Sequence, residues 1–272
     1  MALADRFDGF LVDLDGVVWI GREPVPGSPQ ALQALLAAGK GVVFVTNNPG
    51  KPPAAYAERL GELGVKVAPE QIVTAGMVVA RLAGEAAAGG SAFVIGAPAL
   101  KEMVAATGTT VLEGEAAWEA DVVVVSGHRG FDYGELLASK RALEGAAALF
   151  ATSHDPTMPY PGGELPGTGA VLAAVETASG RRAEIAGKPE RHLFEMAIKS
   201  LACSLAGNSK EKEQGDWRVA MVGDRVSSDI AGGHAAGLET VLVLSGTTTR
   251  EEAAAADPAP DFVVEDLAGL LT

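Results

Sequence analysis

Asp13 and Asp15 lie two positions apart, directly after an apolar run at 10–12 and directly before Gly16. A short apolar run of this kind predicts a buried parallel strand. Carboxylates at the end of such a strand are costly unless they bind a cation or take part in chemistry. The glycine allows a sharp turn and a close approach of backbone N–H groups to a ligand. Because Asp-Gly is also a common turn signal, this pattern alone leaves a simple turn as an equal alternative.

Two further apolar runs, at 42–45 and 219–222, also end in polar residues. These residues are Thr46, Asn47 and Asn48 after the first run, and Asp224, followed by Asp229, after the second. In an open parallel sheet, ligands bind at the carboxyl ends of the strands. Three strands that end in residues suited to a metal and an anion therefore predict a single site, and the simple-turn alternative weakens.

The composition is that of a globular protein without nucleic-acid or membrane partners. The chain has 272 residues, 48% of them hydrophobic and 21% charged, and a formal net charge of −14. Nucleic acids and anionic membranes call for basic patches, so this charge argues against both. The single cysteine, Cys203, excludes an intrachain disulfide and fits a reducing compartment. With no apolar stretch of the length of a membrane span and no signal peptide, we expect a cytoplasmic protein.

Apolar runs and helical patterns alternate along the chain, which predicts an α/β fold with a mostly parallel sheet. From about residue 81 the pattern restarts as a second α/β unit whose strands do not end in carboxylate pairs. The segment 153–168 is rich in Pro and Gly and is too long for a simple connector, so we expect a functional loop there. Residues 206–216 are expected to form a solvated loop, and Trp19 and Cys203 to pack in the core.

These residues suit phosphoryl transfer. A carboxylate can attack phosphorus and form an acyl phosphate that water then hydrolyses. The reaction needs an acid for the leaving alkoxide and a cation against charge repulsion, and Mg²⁺ takes the oxygen ligands available here. Asp13 and Asp15 suit the nucleophile and the acid, and Asp224 and Asp229 suit the metal. Thr46, Asn47 and Lys188, the last within Gly187-Lys188-Pro189, suit the phosphoryl oxygens.

Four motifs of this sequence resemble, in their order and spacing, those of the haloacid dehalogenase superfamily of phosphatases. They are Asp13-x-Asp15-Gly16, Thr46-Asn47-Asn48, Gly187-Lys188-Pro189, and Gly223-Asp224 with Asp229. The segments 21–48 and 155–169 resemble the subgroup of NagD-like nucleotidases and 4-nitrophenyl, phosphoglycolate and pyridoxal phosphate phosphatases. The resemblance implies a Rossmann-like core at 1–80 and 183–272, with an inserted α/β cap domain at 81–182. It also implies a Mg²⁺-dependent phosphoaspartate mechanism on small-molecule phosphomonoesters.

The resemblance also assigns roles to individual residues. Asp13 is the nucleophile and a metal ligand, and Asp15 is the general acid/base and a metal ligand through its carbonyl. The remaining assignments are Asp224 and Asp229 for the metal and Gly16, Thr46, Asn47, Asn48 and Lys188 for the phosphoryl group. In the cap, Asp155, Pro156 and Met158 are expected to contribute substrate specificity. Met158 stands where pyridoxal phosphate phosphatases carry a histidine, so we expect an aliphatic leaving group to be favoured.

Several alternatives stay open at this point. A dehalogenase would lack the second aspartate of the first motif, so Asp15 counts against that reaction. A non-catalytic protein that binds a phosphorylated metabolite and a phosphoprotein phosphatase are the other two alternatives. The sequence does not choose among phosphoglycolate, glycerol phosphate, sugar phosphates and nucleotides as substrate. Relatives in this subgroup often dimerise through the cap, so a homodimer is compatible with the resemblance.

Overall fold

The apolar runs of the sequence form the strands of two separate parallel sheets. The computed structural model describes residues 1–160, 163–208 and 217–272. The chain divides into a first unit, Met1–Thr46, Pro53–Val73 and Lys188–Thr272, and a second unit, Asn47–Pro52 and Thr74–Gly187. Within the described residues, every helix is too short or too polar to cross a lipid bilayer.

The strands are β1 Gly9–Asp13, β2 Trp19–Ile20, β3 Glu23–Pro24, β4 Gly41–Thr46, β5 Ile72–Thr74, β6 Ser91–Ile95, β7 Thr110–Leu112, β8 Val122–Val125, β9 Ala148–Ala151, β10 Thr157–Tyr160, β11 Gly163–Pro166, β12 Glu184–Ile185, β13 Val219–Gly223, β14 Glu239–Val243 and β15 Phe262–Val264. The α-helices are α1 Ser28–Ala37, α2 Pro53–Glu62, α3 Ala75–Ala87, α4 Pro98–Ala105, α5 Tyr133–Glu144, α6 Thr168–Ser179, α7 Arg191–Asn208, α8 Ala231–Ala235 and α9 Arg250–Ala254. A π-helical turn spans Val226–Ile230, directly before α8.

The first unit is built on a six-stranded sheet of order β15-β14-β13-β1-β4-β5. Strand β1 lies between β13 and β4 and pairs with both in parallel, with Leu11 opposite Met221 on one side and Val43 on the other. All five residues of β1 are buried, as expected for a central strand covered on both faces. The chain leaves β1 toward β4 and later returns to its other side as β13. This reversal of strand order is where open α/β sheets bind ligands.

The second unit has its own five-stranded sheet of order β12-β9-β8-β6-β7, in which the pairings are parallel. Its core includes Ile95, Val123, Val125 and Leu172. The predicted strands and helices of the middle segment are therefore present. Together the two units confirm the α/β fold, with a mostly parallel sheet in a Rossmann-like core and an inserted α/β cap.

The structure places the borders of the second unit outside the predicted 81–182. Residue 81 lies within α3, whose residues Val78, Val79 and Leu82 are buried, so the unit begins before this helix. At the other end, β12 pairs with β9 of the second sheet, which extends the unit beyond residue 182. The short segment Asn47–Pro52 also packs with this unit.

The segment predicted as a loop at 153–168 contains an antiparallel hairpin. Strands β10 and β11 pair with Met158 opposite Leu165 and Thr157 opposite Pro166. Prolines argue against strands because they cannot donate to a ladder, and this misled the prediction. In a two-stranded hairpin each strand has a free edge, so Pro159 and Pro166 are tolerated there.

Two predictions concern the region around α7. The prediction that Cys203 packs in the core is wrong, because this residue is exposed. Leu201 and Leu205 are buried on one side of the helix. Cys203 follows Leu201 by two residues, about 200° around the helix, and so falls on the opposite side. The loop predicted at 206–216 lies mostly outside the described residues, and α7 continues through Asn208.

Candidate active site

The carboxyl ends of β1, β4 and β13 bring three predicted residues to one edge of the first sheet. Asp13, the last residue of β1, is opposite Val45 of β4, so Thr46 lies one step further along the neighbouring strand. On the other side Val12 is opposite Val222, which puts Gly223 level with Asp13 and Asp224 directly after it. Asp13, Thr46 and Asp224 are all buried, at 7%, 2% and 1% exposure. This is the arrangement predicted from the sequence.

Lys188 joins two of the carboxylates. Its Nζ donates hydrogen bonds to Asp13 Oδ1 at 2.7 Å and to Asp229 Oδ1 at 2.6 Å. Lys188 is 3% exposed and Asp229 is fully buried, so these ion pairs form with little water around them. The other oxygen of Asp229, Oδ2, accepts a hydrogen bond from the backbone N–H of Arg225 at 2.9 Å. Asp229 is thereby held in place while it pairs with Lys188.

Asp224 is held by one oxygen only. Its Oδ2 accepts a hydrogen bond from the backbone N–H of Thr247 at 2.7 Å. Its Oδ1 is buried and has no hydrogen-bond partner in the part of the chain that the structure describes. A buried acceptor without a partner is expensive, and in a native protein it indicates a ligand or ion.

The acidic cluster fits a divalent cation. Asp13, Asp224 and Asp229 each offer a carboxylate oxygen, and these oxygens lie within 4.8 Å of one another. Three carboxylates and the ammonium of Lys188 leave a formal charge of −2 in a buried space. Hard oxygen donors with this charge suit Mg²⁺, which uses carboxylates and keeps waters and substrate oxygens as its other ligands. The unpartnered Oδ1 of Asp224 is the observation that supports this fit.

The crowding of charges shifts the pKa values of the cluster. Burial raises the pKa of Asp13 well above its usual value; Lys188 opposes this, and Asp229 and Asp224 add to it. The pKa of Asp224 is raised by burial and then by the charge of Asp229. Burial alone would lower the pKa of Lys188, but the charges of Asp13 and Asp229 raise it above its usual value. Lys188 therefore stays protonated, and the carboxylates need a cation to share their negative charge.

Asp15 projects into a separate set of contacts. Its Oδ1 accepts a hydrogen bond from Trp19 Nε1 at 3.0 Å. Burial raises the pKa of Asp15, and this hydrogen bond lowers it in part. A raised pKa favours the protonated form of the carboxyl group, which is the form that a general acid requires.

Gly16 and the loop after β14 shape the space around Asp224. A Cβ atom on Gly16, whose φ is +88°, would lie 2.4 Å from Asp224 Oδ2, and one on Gly246 would lie 2.1 Å from the same oxygen. Both positions therefore require glycine. Ser245 of the same loop donates a hydrogen bond from its Oγ to the carbonyl of Gly16 at 2.7 Å.

Five of the predicted residues belong to the second unit. Asn47 Nδ2 donates a hydrogen bond to Asp155 Oδ2 at 3.1 Å, which joins a phosphate-binding candidate to a specificity candidate. Asn48 Oδ1 accepts a hydrogen bond from Gly50 N at 3.0 Å and so stabilises its own turn. Met158 lies in β10 with 40% of its surface exposed. Pro156 precedes that strand, and its carbonyl accepts a hydrogen bond from Gly167 N at 2.8 Å.

Sequence reasoning missed two parts of this site. Trp19 was expected only to pack; it is buried, but its indole N–H also contacts Asp15. The loop 245–247 was not predicted to hold Asp224. A signal for this loop existed, since it follows an apolar run at 240–244 at the same sheet edge. No comparable signal marked Trp19.

Comparison with known proteins agrees with this geometry. Residues 10–110 match the family model "Haloacid dehalogenase-like hydrolase", and residues 185–270 match a model for HAD-like hydrolases. Among curated proteins, mouse chronophin is 36% identical over 279 residues, which cover 97% of this chain and 91% of chronophin. Human glycerol-3-phosphate phosphatase is 36% identical over 307 residues, covering 99% of this chain and 92% of its own length.

A solved structure also covers the whole chain. The crystal structure of glycerol phosphate phosphatase from Mycobacterium tuberculosis in complex with magnesium matches with a TM-score of 0.86 and 33% identity. The match covers 100% of this chain and 78% of the other. The chain therefore belongs to the haloacid dehalogenase-like hydrolase family, which confirms the resemblance seen in the sequence motifs.

Proposed function

We propose that this protein is a Mg²⁺-dependent phosphatase that hydrolyses small-molecule phosphomonoesters through a phosphoaspartate on Asp13. The observation that carries this function is the buried cluster in which Lys188 contacts Asp13, while Asp224 Oδ1 has no hydrogen-bond partner among the described residues. The cluster offers a nucleophile, a fixed positive charge and a cation site at one sheet edge. The phosphatases among its relatives support the same reaction class.

Asp13, Asp224 and the backbone carbonyl of Asp15 would hold the Mg²⁺, and Asp229 completes the acidic cluster around it. When bound, Mg²⁺ lowers the repulsion between the phosphate and the carboxylates and stabilises charge on the phosphoryl oxygens. Lys188 adds a second, permanent positive charge. Thr46, Asn47, Asn48 and the backbone at Gly16 are proposed to donate hydrogen bonds to the phosphoryl group.

In the first half-reaction a carboxylate oxygen of Asp13 attacks phosphorus. The new bond joins Asp13 oxygen to phosphorus, and the bond between phosphorus and the ester oxygen breaks. The ester oxygen leaves with the bonding electron pair and takes a proton from Asp15. The leaving group departs as a neutral alcohol, and Asp15 is left as a carboxylate.

In the second half-reaction Asp15 accepts a proton from water. The water oxygen attacks phosphorus, and the bond between phosphorus and Asp13 breaks. Inorganic phosphate leaves, Asp13 regains its carboxylate, and Asp15 regains its proton for the next cycle. One carboxyl group thus serves as acid and then as base.

The substrate class is a small phosphorylated metabolite. Glycerol phosphate is our first candidate because two of the relatives carry that substrate in their names. Phosphoglycolate, sugar phosphates and nucleotides are the further candidates. We assign leaving-group specificity to Asp155, Pro156 and Met158, supported by the hydrogen bond of Asp155 to Asn47 and the exposure of Met158.

Two finer points belong to the same proposal. A cytoplasmic location is supported by the single cysteine, which fits a reducing compartment. A homodimer through the second unit is supported by the sequence resemblance to the capped subgroup. Light scattering on the purified protein tests the second point, and a monomeric mass would contradict it.

Phosphate release from a panel of phosphomonoesters, ranked by kcat/KM with and without Mg²⁺, tests the function. We expect Mg²⁺-dependent turnover of 4-nitrophenyl phosphate and faster turnover of at least one metabolite ester. Asp13→Asn should reduce turnover at least about 1,000-fold, because a neutral amide replaces the nucleophile. The exposed Asp257→Asn is the matched control. A folded wild-type protein that stays inactive with Mg²⁺ would refute the proposed function.

A further inference from the structure

We propose that Trp19 is a positioning residue for the proton transfers of Asp15, a role that rests on the proposed function. The indole N–H fixes one carboxyl oxygen of Asp15, so that the other oxygen carries the proton that moves. The residue itself touches no reacting atom in this scheme.

The first observation is the contact between the two side chains. Trp19 Nε1 donates to Asp15 Oδ1 at 3.0 Å, and only 1% of the Trp19 surface is exposed. The backbone supports the contact: Gly16 N donates to the carbonyl of Trp19 at 2.7 Å, and Asp15 and Trp19 form an isolated β-bridge. The turn from 15 to 19 is therefore closed by both main chain and side chain.

The second observation is that two residues of α2, Tyr56 and Arg59, neighbour the indole ring. The ring of Tyr56 is stacked on it, with centroids 6.5 Å apart and planes 5° apart. The guanidinium of Arg59 lies 3.9 Å from the ring centroid, and Arg59 Nη2 donates to the carbonyl of Gly21 at 2.7 Å. A cation over the ring draws electron density from it and makes the N–H a stronger donor. A buried indole N–H needs an acceptor, and here the acceptor is the carboxyl group that we propose transfers the proton.

This contact determines where the proton sits on Asp15. An N–H group only donates, so Oδ1 must act as the acceptor whether Asp15 is protonated or not. When Asp15 is protonated, its proton is therefore on Oδ2. Oδ2 then donates to the leaving oxygen in the first half-reaction and accepts a proton from water in the second. Without the indole N–H, the carboxyl group can rotate and the proton can occupy either oxygen.

Substrates with different leaving groups separate this role from simple packing. A 4-nitrophenolate ion leaves without a proton, whereas the alkoxide of glycerol phosphate needs one. In Trp19→Phe, which keeps a ring and loses the N–H, kcat/KM for glycerol phosphate should fall at least about tenfold. For 4-nitrophenyl phosphate, kcat/KM should change less than about threefold. This constant reports only the first half-reaction, in which nitrophenolate leaves without a proton.

The second half-reaction provides an independent measurement. It needs Asp15 as a base whatever the substrate, so kcat for 4-nitrophenyl phosphate should fall and KM should fall with it. Rapid mixing should then show a burst of one equivalent of nitrophenolate before a slow steady state. Trp118→Phe is the matched control, because Trp118 is an exposed tryptophan of the second unit that also has an arginine, Arg141, over its ring.

Equal losses on both substrates without a burst would show that Trp19 only packs, and unchanged kinetics would show that its N–H is not used. Either result overturns the inference while the phosphatase function stands. If Trp19→Phe does not fold, Arg59→Met provides the test. It keeps the indole and removes the cation, and it should lower kcat/KM for glycerol phosphate selectively. A wild-type protein without turnover would instead refute the proposed function itself.

Discussion

At the scale of single residues, Asp224 is positioned as much by two neighbouring glycines, which leave space for it, as by its hydrogen bond. Gly16 and Gly246 both lie where a Cβ would meet its Oδ2, and Thr247 N holds that same oxygen. The carboxylate is thus confined, and its buried Oδ1 has no hydrogen-bond partner in the regions that the structure describes. Confinement of a ligand before the metal arrives reduces the entropy lost on binding.

Gly16→Ala should raise the Mg²⁺ concentration needed for half-maximal activity by about 10- to 100-fold. The new Cβ would come within 2.4 Å of Asp224 Oδ2, so Asp224 must move. Gly39→Ala is the matched control: its φ of +75° imposes similar backbone strain, but no atom of the described residues lies within 4 Å of the added Cβ. Both variants should lose about 1–3 kcal/mol of stability to that strain. The measurements are activity against Mg²⁺ concentration and unfolding in urea. Equal Mg²⁺ requirements in the two variants would contradict the role of Gly16.

The sequence predicted the site residues that follow apolar strands, because a parallel sheet collects its carboxyl ends at one edge. Asp13 and Asp224 are examples, and the structure places both at that edge. Lys188 follows no predicted strand, so its positive charge and the motif Gly187-Lys188-Pro189 predicted its role without indicating its position. The indole contact of Trp19 depends on a turn of only four residues. Such a contact requires coordinates, because a buried tryptophan has the same sequence pattern with or without it.

At the scale of elements, the hairpin β10–β11 and helix α7 show how far the hydrophobic pattern of the sequence predicts secondary structure and burial. Apolar runs predicted the buried parallel strands. Pro159 and Pro166 argued against strands in a segment where the structure has an antiparallel hairpin. In α7, the apolar character of Cys203 suggested the core, although its position two residues after Leu201 places it on the exposed face. Element type was therefore predictable where both faces are buried, and less so at edges and on helix surfaces.

Met158→His should change substrate preference without abolishing turnover. Met158 lies in β10, paired opposite Leu165 and 40% exposed, and we propose that it contributes to leaving-group specificity. A histidine offers hydrogen bonds to a polar ring that methionine does not offer. The ratio of kcat/KM for pyridoxal phosphate to that for glycerol phosphate should rise about tenfold or more. An unchanged ratio in a folded variant would show that this position does not contact the leaving group.

Leu201→Ala should destabilise the first unit by about 2–5 kcal/mol. Leu201 is 1% exposed and packs where Gly9 and Gly41 let α7 approach β1 and β4 closely. Truncation leaves a cavity over two central strands. The exposed Cys203→Ala, two residues away on the same helix, should change stability by less than about 0.5 kcal/mol. Urea unfolding compares the two variants, and similar losses in both would mean that the packing face of α7 is assigned wrongly.

At the scale of the whole molecule, the candidate metal ligands and the proposed specificity residues belong to different units, while the proposed phosphate-binding residues Asn47 and Asn48 belong to the second unit. The candidate metal ligands Asp13, Asp224 and Asp229 all belong to the first unit, as does Lys188. The proposed specificity residues Asp155, Pro156 and Met158 all belong to the second. Each unit has its own sheet and its own core. A division of this kind allows the leaving-group contacts to vary while the phosphoryl chemistry stays the same.

The same division predicts how Mg²⁺ stabilises the protein. An ion that binds only the folded first unit adds about 2.7 kcal/mol to its opening free energy when the free ion is at 100 times its dissociation constant. Hydrogen exchange should therefore slow for backbone amides of β1, β4 and β13 and change little for β6, β8 and β9, since separate cores can open separately. Asp224→Asn should remove this protection, because it alters the carboxylate whose buried Oδ1 has no partner within the described part of the chain. Equal protection of both sheets by Mg²⁺ would mean that the two units open as one cooperative structure, and protection that persists in Asp224→Asn would place the ion elsewhere.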